Sequence, residues 1–493
     1  MSSSSEETTM DDQQASSDEA TLAHMRDVLR RQREAFTAEL PVGAAIRKDR
    51  LRRAIDLVVG NKDRLTQALS ADFGHRSVTQ SMVTDIVSSV KSLKHALANV
   101  DRWMRPEKRK LDFPLGLLGA RAHVEHQPKG VVGVISPWNF PVYLTFCPLA
   151  QIFAAGNRAM VKPSEHTPRT SETMRELAAQ FFPEHELSFI LGGPAVGKAF
   201  AGLAFDHLIF TGGTGIARHV LHAAADNLVP TTLELGGKSP VIVGESADVT
   251  RTTERVVVGK MLNAGQICLA PDYMLVPKAK EAAIVAALQQ AVARMYPTLL
   301  GNDDYTSVVD GRHRERLQGL LDDAKAKGAE VIAVNPSNED FASASGNKMP
   351  LHLVRNTTPE MRVVREEIFG PILPILTYDR TEEAIAYVNA GERPLALYYF
   401  GEDTDEERRV VQRTVSGGVT VNDVIFHAMP EDLPFGGIGP SGMGNYHGFD
   451  GFRTFSHPKA VYRQPKIDLA ALAGLKPPYG EKTRKTIKRE MGG

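Results

Sequence analysis

Short apolar runs alternate with amphipathic helical stretches along most of this chain, and that alternation restricts its fold more than any other feature. Residues 131–136 form an apolar run closed by Pro137, which reads as a buried strand followed by a loop. Residues 159–161 form another, ending at Lys162-Pro163. Thr167-Pro168 then supplies a cap and a proline suited to the first helical position. A third run, residues 207–210, leads into Thr211-Gly212-Gly213-Thr214-Gly215 and a helical stretch over 216–225. Strands alternating with helices predict an α/β fold built on a mostly parallel, doubly wound sheet. The pattern resumes after Gly236, with strands at 240–243 and 273–276 and helices at 249–262 and 279–295. A second α/β lobe is therefore expected, with Cys268 in the loop between a helix and a strand. Upstream, residues 21–73 are helical in pattern, a further amphipathic helix is expected over 78–104, and residues 121–127 alternate as a strand.

At 493 residues the chain is too long for one compact core. It is 42% hydrophobic and 24% charged, with a formal net charge of −1. That near-neutral balance provides no electrostatic footprint for nucleic acid or an anionic membrane, so neither is expected as a partner. The only two cysteines, Cys147 and Cys268, argue against a disulfide framework and against a cysteine-based zinc site. No metal is expected, and a reducing, cytoplasmic setting fits. Residues 1–20 are rich in Ser, Glu, Asp and Gln, with neither the basic nor the apolar region of a secretion signal, and are expected to be a disordered tail. No apolar run is long enough to span a bilayer.

Six segments carry residue types suited to chemistry. Cys268, in Gly265-Gln266-Ile267-Cys268, is either a small buried hydrophobe or a thiol nucleophile, and its polar, flexible flanks favour the second. Cys147 sits among apolar residues and is expected to be packed. Glu234, in Leu233-Glu234-Leu235-Gly236-Gly237-Lys238, is either an ion-pair partner or a general base whose pKa partial burial would raise. Ser136-Pro137-Trp138-Asn139 places an amide that is either a turn residue or a donor to a developing oxyanion. Lys162 and Glu165 form either a surface pair or a bracket for a ribose. Gly212 to Thr214 open a helix, an ordinary turn or a phosphate site. Glu367 and Phe369, before Gly370-Pro371, suit a second ribose and ring or a plain turn.

Together, in this order, these segments resemble the aldehyde dehydrogenase superfamily over roughly residues 22–461. The base-to-nucleophile separation, 268 − 234 = 34, matches as well. The run Gly265 to Tyr273, Val421-Asn422-Asp423, Leu433-Pro434-Phe435-Gly436-Gly437 and Ser441-Gly442-Met443-Gly444-Asn445-Tyr446-His447-Gly448 are similar to the class 3 and coniferyl aldehyde dehydrogenase branch. The resemblance implies oxidation of an aldehyde to an acid with NAD, with NADP as a second candidate because the branch often uses both. Cys268 would form a thiohemiacetal and then a thioester, Asn139 would hold the oxyanion, and Glu234 would activate water. Ser136, Trp138, Gly212 and Thr214 would lie at the cofactor, Lys162 and Glu165 at its adenine ribose, and Glu367 and Phe369 at its nicotinamide ribose and ring. Gly213 and Ala217 depart from the usual serine and glycine.

The implied architecture has a dinucleotide-binding domain (21–111 and 130–233), a catalytic domain (234–420), and a small β oligomerisation arm with the C-terminal segment (112–129 and 421–493). The arm implies a homodimer. Phe140, Tyr143, Phe426 and Met429 are expected to line an apolar entrance for an aromatic, coniferyl-type, or medium-chain aldehyde. Two rivals are a CoA-acylating semialdehyde dehydrogenase and a non-catalytic protein that kept the fold.

Overall fold

The computed structural model describes residues 3–113 and 115–492, with side chains from residue 19 onward. Its strands fall into three sheets. A six-stranded sheet runs in the order Gly442–Met443, Thr231–Glu234, His207–Thr211, Val131–Ile135, Arg158–Lys162, Leu187–Phe189. All but Gly442–Met443 are parallel. Chain order moves outward from Val131–Ile135 on one side and then outward on the other. The connection therefore reverses between Val131–Ile135 and His207–Thr211, and such a switch point opens a crevice at the carboxyl ends of the strands. Ser136, Lys162, Gly212 and Glu234 all sit at or just beyond those ends.

A seven-stranded sheet follows the order Glu330–Val334, Leu351–Arg355, Ile372–Tyr378, Tyr273–Pro277, Pro240–Val243, Ala396–Phe400, Gly418–Val421. Only the first of these runs antiparallel to its neighbour. The strands of both sheets are nearly continuous apolar runs, as a sheet covered by helices on both faces requires. A third, antiparallel sheet joins Glu107–Arg109, Arg121–Pro128 and Ser456–Arg463.

Two elements differ from expectation. The first helix spans Ser3–Glu39, so residues 3–20, expected to be disordered, are helical. Met25, Val28 and Gln32 bury the second half of that helix, and no glycine or proline intervenes before Pro41. Extending an anchored helix avoids the costly nucleation step. The helix expected over 78–104 is interrupted by a π-helical turn at Met82–Val87 before it continues as Ser88–Trp103. That turn carries Asp85, fully buried and paired with Arg76 at 2.6 Å. No helix among the described residues is long and apolar enough to cross a membrane.

Candidate active site

A cavity of about 1420 Å³ opens at the switch point of the six-stranded sheet and runs to the seven-stranded lobe. Ser136, Trp138, Asn139, Lys162, Glu165, Gly212, Glu234, Cys268, Glu367 and Phe369 all line it. Thr214 is the exception. Its hydroxyl donates to the Pro440 carbonyl at 3.1 Å, and its side chain is not part of the wall.

Cys268 lies in the loop that follows helix Val249–Met261. Three successive residues there, Asn263 (φ 50°), Ala264 (φ 52°) and Gly265 (φ 74°), are left-handed. Such backbone costs about 1–3 kcal/mol for each non-glycine residue and persists only where its surroundings enforce it. The enforcing group is Gln266, which is fully buried. Its amide donates to Asn263 O (2.9 Å) and Ser307 O (3.0 Å) and accepts from Val309 N (2.9 Å). At Gly265 a Cβ would lie 2.5 Å from Gly370 O, so no other residue fits. Cys268 is half-buried and lines the cavity. Burial, then the charges of Glu234 and Glu367, push its thiol pKa up. Cys147 is packed in the core beside Ser92, as expected.

Asn139 is 3% exposed. Its amide donates to Gln266 O at 3.1 Å, while its own carbonyl accepts from Arg76 at 2.7 Å and Asn263 at 3.2 Å. Asp85 in turn accepts from the backbone N–H groups of Val142 and Tyr143 at 3.1 and 3.2 Å. The Arg76–Asp85 pair thus grips both sides of the Asn139 turn. Sequence reading missed this pair because nothing local marks Asp85 as buried.

Glu234 ends its strand at 2% exposure, paired with Gly442 on the neighbouring strand. Neither carboxylate oxygen has a partner among the described residues. Burial alone pushes its pKa well up. The alternative reading, an ion pair with Lys238 or a nearby arginine, is not what forms. Lys238 pairs with Asp272 and donates to the carbonyls of Val363 and Glu366. A buried carboxyl with two free oxygens is costly unless it has a task.

Lys162, also in the cavity wall, reaches Pro163 O at 2.7 Å and Glu165 at 3.2 Å. Glu367 accepts from Gly237 N at 3.0 Å, and burial raises its pKa to about 7. Phe369, left-handed at φ 51°, turns its ring edge-on to Trp138 at 5.3 Å.

His166, Asp310 and His313 were not anticipated. His166 follows Lys162-Pro163-Ser164-Glu165, and Asp310 caps the helix Gly311–Ala326 in the other lobe. Asp310 accepts from His166 at 3.1 Å and from His313 at 2.8 Å, and the Trp138 ring centre lies 4.9 Å from that of His313. Their ligating atoms all fall within 4.8 Å of one another. The trio fastens one lobe to the other beside the cavity.

Comparison with known proteins agrees with this geometry. The family model described as "Aldehyde dehydrogenase family" matches residues 4–461, and the chain belongs to that family of NAD(P)-dependent oxidoreductases. The chain is similar to a probable coniferyl aldehyde dehydrogenase of Caulobacter vibrioides, 56% identical over 472 residues that cover 96% of this chain and 97% of that one. It is similar as well to the coniferyl aldehyde dehydrogenase of Pseudomonas sp. strain HR199, 53% identical with 92% and 93% covered. Among solved structures, the substrate-bound Staphylococcus aureus AldH superposes with a TM-score of 0.87 at 33% identity, covering 95% of this chain and 99% of that one. The fold class and the resemblance read from sequence therefore hold.

Proposed function

We propose that this aldehyde dehydrogenase oxidises an aromatic, coniferyl-type aldehyde to its acid, with Cys268 as nucleophile, Asn139 as oxyanion donor and Glu234 as base. The observation that carries this reading is the half-buried Cys268 in the wall of a dinucleotide-sized cavity that also holds an unpartnered Glu234 carboxylate.

The Cys268 thiol loses its proton to water, its sulfur bonds to the carbonyl carbon, and the C=O π electrons move to oxygen, giving a thiohemiacetal oxyanion. The Asn139 amide and the Cys268 backbone N–H are the donors for the resulting oxyanion. Bound NAD(P)+ supplies the hydride acceptor for this oxidation. Glu234 then takes a proton from water, which attacks the Cys268 thioester and releases the carboxylic acid. A raised pKa suits this task, because the carboxylate binds a proton strongly and has no ion pair to give up first.

The cavity fits such a cofactor. Lys162 and Glu165, both in its wall, would hold a ribose diol, and the Gly212-Gly213 backbone would meet a phosphate. Ser136 and Trp138 would contact the cofactor as well, and Glu367 with Phe369 would hold the second ribose and ring. We assign NAD as the cofactor, since the Glu165 carboxylate accepts from a free 2′-hydroxyl and repels a 2′-phosphate, with NADP second.

Residues 21–111 with 130–233 would be the dinucleotide-binding domain and 234–420 the catalytic domain. Residues 112–129, with 421–493, would supply the arm and C-terminal segment of a cytoplasmic homodimer. The exposed Arg121–Pro128/Ser456–Arg463 ribbon supports that arm.

The test is steady-state kcat/KM over a panel of aromatic and aliphatic aldehydes with each cofactor. Acid formation without CoA, fastest on aromatic aldehydes, is expected. An absolute requirement for CoA would overturn the hydrolytic role of Glu234.

A further inference from the structure

The cofactor cavity reaches Cys268 along Asn139, Leu144 and Glu234. The first turn of the helix Tyr143–Ala155 lies near the same sulfur, close enough for the charges of Tyr143 and Cys268 to interact. Of the four residues expected at an apolar entrance, Phe426 and Met429 are exposed, Phe140 is buried against the Arg76 guanidinium, and Tyr143 faces a polar group of side chains.

That group contains His447 (1% exposed), Tyr446 (0%) and Glu431 (8%). His447 Nδ1, the Tyr446 hydroxyl, one Glu431 oxygen and His427 Nε2 all lack a partner among the described residues. Buried polar atoms are nearly always paired, so four orphans in one cluster mark a place where something polar belongs. The rings are held firmly. Phe435 stacks on His447 at 4.8 Å and on His427 at 6.4 Å, and Tyr446 meets His447 edge-on at 4.9 Å. The cluster adjoins the nucleophile loop, since the Tyr398 hydroxyl donates to Leu269 O at 2.5 Å and its ring lies 6.2 Å from His427.

We propose that Tyr143 and His447, backed by Glu431, form a hydrogen-bonding subsite for a phenolic hydroxyl at the far end of an aromatic aldehyde bound at Cys268. This rests on the assignment of Cys268 as nucleophile above and adds the substrate feature that is recognised. The half-buried Tyr143 hydroxyl lies 3.4 Å from His447 Nε2. Burial lowers the imidazole pKa to about 3, so His447 stays neutral and offers a hydrogen bond rather than a charge. Tyr143 also hydrogen-bonds Cys147, and the lone pair that remains on its hydroxyl oxygen is left for the ligand. Glu431 accepts from Ser92 at 2.7 Å through one oxygen and keeps the other free. A ring without a hydroxyl leaves these groups facing hydrocarbon, and such a site discriminates against it.

The test compares kcat/KM for 4-hydroxycinnamaldehyde and cinnamaldehyde in the wild type and in Tyr143→Phe. The wild type is expected to favour the hydroxylated substrate by roughly tenfold, and the variant to lose most of that ratio. Product inhibition of the wild type by 4-hydroxycinnamate against cinnamate should show the same preference, which keeps the test decisive if the variant does not fold. Equal kcat/KM for the two aldehydes, or a ratio untouched by Tyr143→Phe, overturns the subsite while leaving the aldehyde chemistry standing. Failure of the wild type to oxidise either aldehyde would instead refute the reading on which the subsite rests.

Discussion

At the scale of single residues, the division of labour at Cys268, Glu234 and Glu367 follows from burial. Cys268→Ala is expected to abolish NADH formation while cofactor binding, followed by fluorescence titration, survives, because the sulfur is one small part of a wall built from many other residues. Glu234→Gln keeps the shape of the side chain and removes its basicity. It should stall hydrolysis, so that a covalent acyl-enzyme becomes visible by intact-mass spectrometry, with kcat lower by roughly 10²–10⁴-fold. An unchanged steady-state rate would remove Glu234 from the reaction. Glu367 adds a pH dependence whose sign can be worked out. Its pKa is raised to about 7, and ribose hydroxyls donate more strongly to its ionised form. Cofactor binding therefore releases a proton, and affinity should rise as pH increases through about 7 and then level off. Glu367→Gln should flatten that curve in a titration of Kd against pH.

At the scale of elements, the π-helical turn is the feature that the sequence hides. Helical periodicity over 78–104 was legible, but the local widening at Met82–Val87 comes from what Asp85 must reach: Arg76, Val142 N and Tyr143 N. Those partners lie in other segments, so no local pattern announces them. Strands such as Val131–Ile135 and Tyr273–Pro277 were legible because each is a short apolar run closed by proline or glycine. Breaking a buried ion pair by removing one partner costs about 3–5 kcal/mol, since the other charge is left stranded. Arg76→Met is expected to lower unfolding stability by that order in urea denaturation. It should also depress kcat, because the Asn139 carbonyl loses its fully buried donor.

At the scale of the whole molecule, two lobes share one cavity, and the fastening between them came from residues that composition could not connect. His166 and His313 read as scattered histidines in the sequence, yet both hydrogen-bond to one aspartate. Lys162, Glu165 and Cys268, by contrast, were marked by motifs whose order along the chain carries the resemblance. Asp310→Asn should weaken the fastening. Each half-exposed pair is worth about 1 kcal/mol at most, so KM for the cofactor is expected to rise roughly threefold to tenfold with little change in kcat, in initial-rate kinetics.

The neighbour of Glu234 in its sheet is Gly442, and Leu235 N donates to Ser441 O at 3.1 Å. The carboxylate is therefore seated by a segment far along the chain from its own strand. The strand that carries Glu234 can form while the rung beside its side chain is still missing, so the aim of this carboxylate depends on long-range folding rather than on its own neighbourhood.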